Sequence, residues 1–128
     1  MVVIDTHALI QAALQPNRLS SAARKAMGGE HGPVAASDIS FWEIAMLVAK
    51  RRLQIDTDAA QFIEDLVHAL ELRVLPINSK IAVLAQSEAF GHRDPADRLI
   101  GATAIAHGAP LVSADKRLRR VPGLRVIW

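Results

Sequence analysis

The chain alternates short, continuously apolar runs with longer segments in which apolar residues recur every three to four positions. Short apolar runs predict strands buried on both faces, and the longer segments predict helices with one buried side. The predicted strands are residues 2–4, 33–37, 73–77, 110–113 and 124–127. Because strands and helices mostly alternate, the pattern predicts an α/β fold: a three-layer α/β/α sandwich with a mainly parallel central sheet.

Most of the predicted helices have recognisable ends. The expected segments are 8–14, about 20–27, a long helix that ends near residue 50, 59–70, 79–90, 95–107, and a short basic helix or turn over 116–120. Pro95 suits the first position of a helix, so Asp94 is the predicted N-cap residue. Asp58 is predicted to cap the helix that follows it, and Ser37 and Ser40 are most simply interpreted as caps.

Composition places the chain among globular proteins. Of the 128 residues, 51% are hydrophobic and 22% are charged, which is typical of one folded domain over residues 1–128. No apolar run approaches the roughly 18 residues of a membrane span, and no leader opens the sequence, so no membrane association is expected. The absence of cysteine excludes disulfides and thiolate metal sites and is consistent with a cytoplasmic protein.

Five acidic residues occur where a strand ends or a helix begins: Asp5, Glu43, Asp94, Asp97 and Asp115. In parallel sheets, ligands bind outside the carboxyl ends of the strands, near the starts of the helices. One acidic site would explain all five positions together, whereas separate helix caps would explain each one singly. Ser40 and Glu43 in particular match a capping box, in which Glu43 would bond back to the start of its helix.

Four segments carry these acids in a fixed order along the chain. They are Asp5-Thr6-His7-Ala8-Leu9-Ile10, the stretch from Ser37 through Trp42-Glu43 to Ala45, Asp94-Pro95-Ala96-Asp97-Arg98-Leu99-Ile100, and Leu111-Val112-Ser113-Ala114-Asp115. Together they resemble the PIN-domain nucleases, and most closely the VapC-type toxins of bacterial toxin–antitoxin pairs. The resemblance extends over nearly the whole chain. Gln11 and Arg51 depart from the family pattern, in which Trp and Gly are frequent at these positions.

The resemblance implies a ribonuclease that depends on Mg²⁺ or Mn²⁺. The acids that it assigns to catalysis are Asp5, Glu43, Asp97 and Asp115, with Asp94 as an additional acid. The first four would also hold the metal, because carboxylate and water oxygens suit hard divalent cations. Thr6 and Ser113 would support the acids through their hydroxyl groups. The resemblance further implies a homodimer and an antitoxin that inserts near the active site.

Two basic segments offer contacts to the RNA backbone beside the acids. Their residues are Lys50, Arg51 and Arg52 in the first, and Lys116, Arg117, Arg119 and Arg120 in the second. Such contacts position a nucleic acid without reading its sequence. A solvated surface explains each segment equally well, and the net charge of only +2 does not decide the question. Aromatic residues make up 4% of the chain, so no base-stacking platform is evident.

Two other classes of function remain open. A Mg²⁺-binding phosphatase or receiver-type domain also gathers aspartates at strand ends, but the lysine expected on a late strand is not apparent. A non-catalytic binding module would need the acids only as helix caps. A zinc site is not expected, because His31, His68, His92 and His107 share no metal-ligand spacing. Titration with Mg²⁺ separates a site from scattered caps, because only a binding site gains thermal stability from the ion.

Overall fold

The structure, a computed structural model, describes residues 1–91 and 93–128 and has a five-stranded sheet at its centre. The strands are β1 (Val2–Ile4), β2 (Val34–Ser37), β3 (Arg73–Leu75), β4 (Leu111–Val112) and β5 (Val126–Ile127). They lie in the order β3-β2-β1-β4-β5, and every neighbouring pair is parallel. The predicted parallel sheet is confirmed, with strands somewhat shorter than the apolar runs.

Helices connect the strands. They are α1 (Thr6–Leu14), α2 (Ser21–Lys25), α3 (Ile39–Ala49), α4 (Ala59–Ala69), α5 (Ser79–Leu84) and α6 (Pro95–Ala106), with single 3-10 turns at Pro16–Arg18 and Leu118–Arg120 and a π-type turn at Ala26–Glu30. The side chains of Asp58 and Asp94 accept hydrogen bonds from the first turns of α4 and α6, as predicted. Within the described part of the chain, no helix has both the length and the apolarity needed to cross a bilayer.

Helices cover both faces of the sheet. Side chains of β1 alternate between the faces: Val2 and Ile4 pack in one apolar cluster with residues of α1, α3 and α4, and Val3 packs in a second cluster with residues of α5 and α6. All three side chains are fully buried. This burial explains why β1 is continuously apolar in sequence, and it confirms the three-layer arrangement.

Helix α5 is shorter than the sequence pattern predicted. It ends at Leu84, whereas the pattern predicted a helix to about Phe90. The Nε atom of Arg98 in α6 donates a hydrogen bond of 2.7 Å to the carbonyl oxygen of Ala85, and the hydroxyl of Ser87 accepts one from a backbone N–H two residues on. In a longer helix, these backbone groups would instead bond to one another. The prediction that α5 continues to about Phe90 was therefore wrong.

The order of the strands creates a crevice at one edge of the sheet. After β1, the chain moves outward through β2 to β3, and then returns to place β4 on the other side of β1. The amide of Asp5 donates to the carbonyl oxygen of Val112 at 3.0 Å, so the carboxyl ends of β1 and β4 lie side by side. A reversal of this kind is the usual place for a ligand in an open α/β sheet.

Candidate active site

Asp5 directly follows β1 and caps α1 from a buried position. Its side chain is 5% exposed and accepts a hydrogen bond of 2.8 Å from the amide of Ala8. The hydroxyl of Ser113, which follows the neighbouring strand β4, also bonds to the carboxylate. Burial raises the pKa of Asp5, the bonds from Ser113 and Ala8 oppose the rise, and the negative charge of Asp115 adds to it. Keeping this carboxyl group ionised therefore costs the folded protein free energy.

Glu43, in α3, is bonded to Thr6 at the start of α1. The hydroxyl of Thr6 lies 2.5 Å from Oε1 of Glu43 and 3.0 Å from the hydroxyl oxygen of Ser40. A hydroxyl group has only one proton. Thr6 therefore donates its proton to the carboxylate of Glu43, and the hydroxyl of Ser40 donates to the oxygen of Thr6. The structure excludes the capping box: α3 begins at Ile39 with no side-chain cap, and Ser40 and Glu43 lie inside the helix. The interpretation of Ser40 as a cap was wrong.

The environment of Glu43 disfavours its charge. The side chain is 5% exposed, and burial is the main cause that raises its pKa. The hydrogen bond from Thr6 opposes this rise, and the charges of Asp94 and Asp5 add to it. Glu43 therefore lies within electrostatic reach of the acid that follows β1 and of the acid that caps α6.

Asp115 follows β4 and is held by its neighbours. Its amide donates to the hydroxyl oxygen of Ser113 at 3.0 Å. Its carboxylate accepts bonds of 3.2 Å from both Nε and Nη2 of Arg117, and one of 2.9 Å from the amide of Arg117. Contact with Asp115 raises the pKa of Arg117, and the charges of Asp97 and Asp94 also contribute. The exposed guanidinium therefore lies near the acids of both β4 and α6.

The first turn of α6 supplies the remaining two acids. Asp94 is exposed and caps the helix by accepting a 2.9 Å bond from the amide of Ala96. Asp97 is half-buried one turn into the helix. A carboxylate in this turn is also favoured by the positive end of the helix dipole.

The five acids lie near one edge of the sheet, linked by charge interactions with one another or with Arg117, and their chemistry fits a hard divalent cation. The donor set is made of carboxylates with supporting hydroxyls, which Mg²⁺ and Mn²⁺ prefer. A cation would offset both the burial and the mutual repulsion that raise the pKa values of Asp5 and Glu43. Among residues 1–91 and 93–128, however, no three acidic or histidine side chains are already placed to share one metal ion. His92, one of the histidines considered for a zinc site, lies outside the described residues.

The structure separates the two basic segments. Arg117 lies beside the acids, and Lys116, Arg119 and Arg120 are exposed on the turn around it. By contrast, Lys50, Arg51 and Arg52 follow the far end of α3, whose first turns carry Glu43. Lys50 is roughly 10 Å further along the axis than Glu43, at a rise of about 1.5 Å per residue. The first segment therefore lies at the opposite end of α3 from Glu43.

Two residues beside the acids were assigned no function from the sequence. A groove of about 710 Å³ between α3 and α6 is lined by Trp42 and Arg93 together with Glu43, Asp94 and Arg117. The indole of Trp42 is 60% exposed. In the sequence, Trp42 belongs to a segment that carries the family resemblance, and Arg93 is marked only by its place before Asp94.

Comparison with known proteins gives consistent matches over nearly the whole chain. A family model for the PIN domain matches residues 2–124. Ribonuclease VapC22 of Mycobacterium tuberculosis is 37% identical over 131 residues, which cover 99% of this chain and 98% of that protein. VapBC2 from Rickettsia felis, bound to a DNA fragment from its promoter, has a TM-score of 0.71 at 20% identity, covering 98% of this chain and 97% of that one. A toxin–antitoxin complex from Klebsiella pneumoniae has a TM-score of 0.68 at 21% identity, with coverage of 97% and 95%. At these identities, the two solved structures support the fold alone.

Proposed function

Because this chain belongs to the PIN-domain family, we propose that it is a Mg²⁺- or Mn²⁺-dependent endoribonuclease. The motifs had predicted this family, and the match over residues 2–124 confirms it. The 37% identity with a protein named as a ribonuclease supports RNA as the substrate.

The observation that carries the proposal is that hydrogen bonds tie the acidic segments together. Thr6, the residue after Asp5, bonds to Glu43 at 2.5 Å. Ser113, two residues before Asp115, bonds to Asp5. Helix caps at unrelated places would not be connected in this way.

In this proposal, the acids at the edge of the sheet hold the cation. The ligands would be Asp5, Glu43, Asp97 and Asp115, with Asp94 adding negative charge beside them. When bound, a divalent cation lowers the pKa of a coordinated water and offsets the charge that develops on the phosphate. The carboxylates supply only oxygen donors, in agreement with the preference of Mg²⁺.

The residues behind the acids fix their orientation. Asp5 is held by the amide of Ala8 at 2.8 Å and by the hydroxyl of Ser113, and Glu43 is held by Thr6 at 2.5 Å. Burial raises the pKa of Glu43, which makes its carboxylate a stronger base than an exposed glutamate. We assign to Glu43 the task of orienting the attacking water. Thr6 and Ser113 act as positioning residues.

The cationic turn after β4 would hold the RNA backbone. Arg117 lies nearest to the acids, and Lys116, Arg119 and Arg120 are exposed around it. Contacts of this kind to phosphate weaken as the salt concentration rises, because binding releases counterions from the nucleic acid. Cleavage at subsaturating RNA is therefore expected to fall with added salt.

The test compares two aspartates in the same local geometry. Asp5 and Asp58 each accept a 2.8 Å bond from the amide three residues on, and asparagine can accept it as well. With Mg²⁺ and an RNA substrate, Asp5→Asn should lower cleavage by roughly a hundredfold or more, because electrostatic stabilisation of the transition state is lost. Asp58→Asn, which changes the exposed cap of α4, should cleave like the wild type, and excess EDTA should stop all cleavage.

Two outcomes would overturn this assignment. Full activity in a folded Asp5→Asn variant would remove the central acid from the mechanism. Hydrolysis of a small phosphate ester, with no cleavage of RNA, would favour the phosphatase alternative instead.

We further propose that the protein is the toxin of a VapBC-type pair, acting in the cytoplasm as a homodimer. The 37% identity with Ribonuclease VapC22 over nearly the whole chain supports the VapC-type role. Induced expression of the wild type in a bacterial host should arrest growth, whereas Asp5→Asn should not. Light scattering should give a mass of twice 13.9 kDa. Normal growth despite abundant soluble wild-type protein would contradict the toxin role.

A further inference from the structure

We propose that the groove between α3 and α6 is a nucleobase subsite, in which a base of single-stranded RNA stacks on Trp42. The proposal rests on the ribonuclease function above and adds a binding element beside the acids. The groove has a volume of about 710 Å³, and Glu43 and Asp94 belong both to its wall and to the acidic cluster. The groove therefore adjoins the place where a cation held by these acids would meet a phosphate, within reach of the neighbouring nucleotide.

Trp42 is exposed in a way that packing within the chain does not explain. Its neighbours in α3, Glu43 and Ile44, are buried, whereas its indole is 60% exposed. Among the Phe and Trp residues of the described chain, it is the only one that is exposed. An indole is a large apolar group that normally contributes most when it is covered. Its exposure beside a cluster of acids therefore indicates a binding surface for a ligand.

The other residues of the groove favour a nucleotide as that ligand. Arg93 and Arg117 supply two guanidinium groups for the sugar–phosphate backbone, and Ile39, Met46 and Leu99 supply apolar surface for the face of a base. Proteins that bind single-stranded nucleic acid combine cationic contacts along the backbone with aromatic side chains on which bases stack. Because every base has a flat face, such a subsite tolerates sequence variation. It would position the strand more than it would read the sequence.

Substitution of Trp42 tests the subsite without touching the acids. In EDTA, which prevents cleavage, Trp42→Ala should weaken binding of a short single-stranded oligoribonucleotide by about tenfold, because base–aromatic stacking is lost. Trp42→Phe should retain most of the affinity. Val83→Ala, which changes a 73% exposed apolar residue on α5, is the matched control and should bind like the wild type. With Mg²⁺ present, Trp42→Ala should raise KM more than it lowers kcat.

An abasic oligonucleotide of the same length separates stacking from backbone contact. The wild type should bind it about as weakly as Trp42→Ala binds normal RNA, and Trp42→Ala should not distinguish the two oligonucleotides. In a Trp128→Phe background, where Trp42 is the remaining indole, normal RNA should quench the fluorescence and abasic RNA should not. Equal affinity of wild type and Trp42→Ala for normal RNA would overturn the subsite.

The failures of the two proposals are distinguishable. If the wild type cleaves RNA and Trp42→Ala keeps the wild-type KM, the subsite alone is wrong. If the wild type cleaves no RNA with Mg²⁺ or Mn²⁺, the ribonuclease function itself is wrong. If Trp42→Ala converts a dimer to a monomer in light scattering and leaves RNA affinity unchanged, Trp42 lies between two copies of the chain, and the subsite is overturned.

Discussion

At the scale of single residues, Asp5 and Glu43 make the ion-free protein sensitive to pH. Burial raises the pKa of both carboxyl groups, so the native state binds protons more tightly than the unfolded chain. Their contribution to stability is therefore full below the ordinary carboxyl pKa of about 4, and it is lost as the pH rises through the raised values. Glu43→Gln keeps an acceptor for Thr6 and removes the titration.

We accordingly predict that Glu43→Gln becomes more stable relative to the wild type as the pH increases from about 4 towards neutrality. The measurement is the difference in unfolding temperature between the two proteins in EDTA, taken across that range. Addition of Mg²⁺ at neutral pH should narrow the difference, because only the wild type retains the full set of carboxylates. A difference that is constant or shrinks with rising pH in EDTA would contradict the electrostatic description of the site.

Arg51 holds a backbone conformation that favours glycine. Its φ is +56°, and its amide donates to the carbonyl of Val48 while the amide of Arg52 donates to that of Leu47. These two bonds form a Schellman motif at the end of α3, in which the left-handed position is usually glycine. The glycine that the resemblance implies at this position therefore has a local explanation.

Arg51→Gly should raise the free energy of unfolding by about 0.5–1 kcal/mol, because the strain of a side chain at positive φ is removed. Urea denaturation measures the change. Lys50→Gly is the control: its φ is −86°, so glycine there relieves no strain and should destabilise the protein slightly. RNA cleavage should be unchanged in Arg51→Gly, and a loss of stability in this variant would contradict the assignment.

At the scale of elements, Asp94 at the start of α6 has both a structural and a chemical role. The side chain caps the helix through its 2.9 Å bond to the amide of Ala96, and its charge raises the pKa of Glu43. Asparagine preserves the cap and removes the charge. The two tasks can therefore be tested separately.

We predict that Asp94→Asn unfolds like the wild type but cleaves RNA more slowly. Asp94→Ala should in addition lose about 1 kcal/mol of stability, because the cap is removed. Asp58→Ala, which removes the exposed cap of α4, should show the same loss of stability with normal cleavage. If Asp94→Asn and the wild type cleave RNA at the same rate, Asp94 acts only as a helix cap.

Sequence reasoning predicted those features of the elements that depend on local chemistry. The caps at Asp58 and Asp94 follow from residue type and spacing alone. The predictions failed where a residue distant in sequence provides the hydrogen-bond partner. Arg98 donates to the carbonyl oxygen of Ala85 just after α5. Thr6, 37 positions from Glu43 in sequence, donates to the carboxylate of Glu43. A capping-box pattern contains no information about such tertiary partners.

At the scale of the whole molecule, the order of the strands brings the acids together. Alternating strands and helices predicted a parallel sheet, and in such a sheet strand ends and helix starts share one edge. The same rule places the end of α3, with Lys50, Arg51 and Arg52 after it, away from that edge. The sequence could not predict that β4 returns beside β1, which sets Ser113 against Asp5. The groove beside Trp42 also depends on packing between helices.

The most direct test of the central claim is the anomalous density of Mn²⁺ in crystals of the wild type soaked with that ion. The account predicts a peak at the carboxyl ends of β1 and β4, at about 2 Å from oxygen atoms of Asp5 and of at least one of Asp97 and Asp115. Crystals of Asp5→Asn soaked in the same way should lack it. Saturating Mn²⁺ with no peak at these carboxylates, or with peaks only elsewhere on the molecule, would contradict the account.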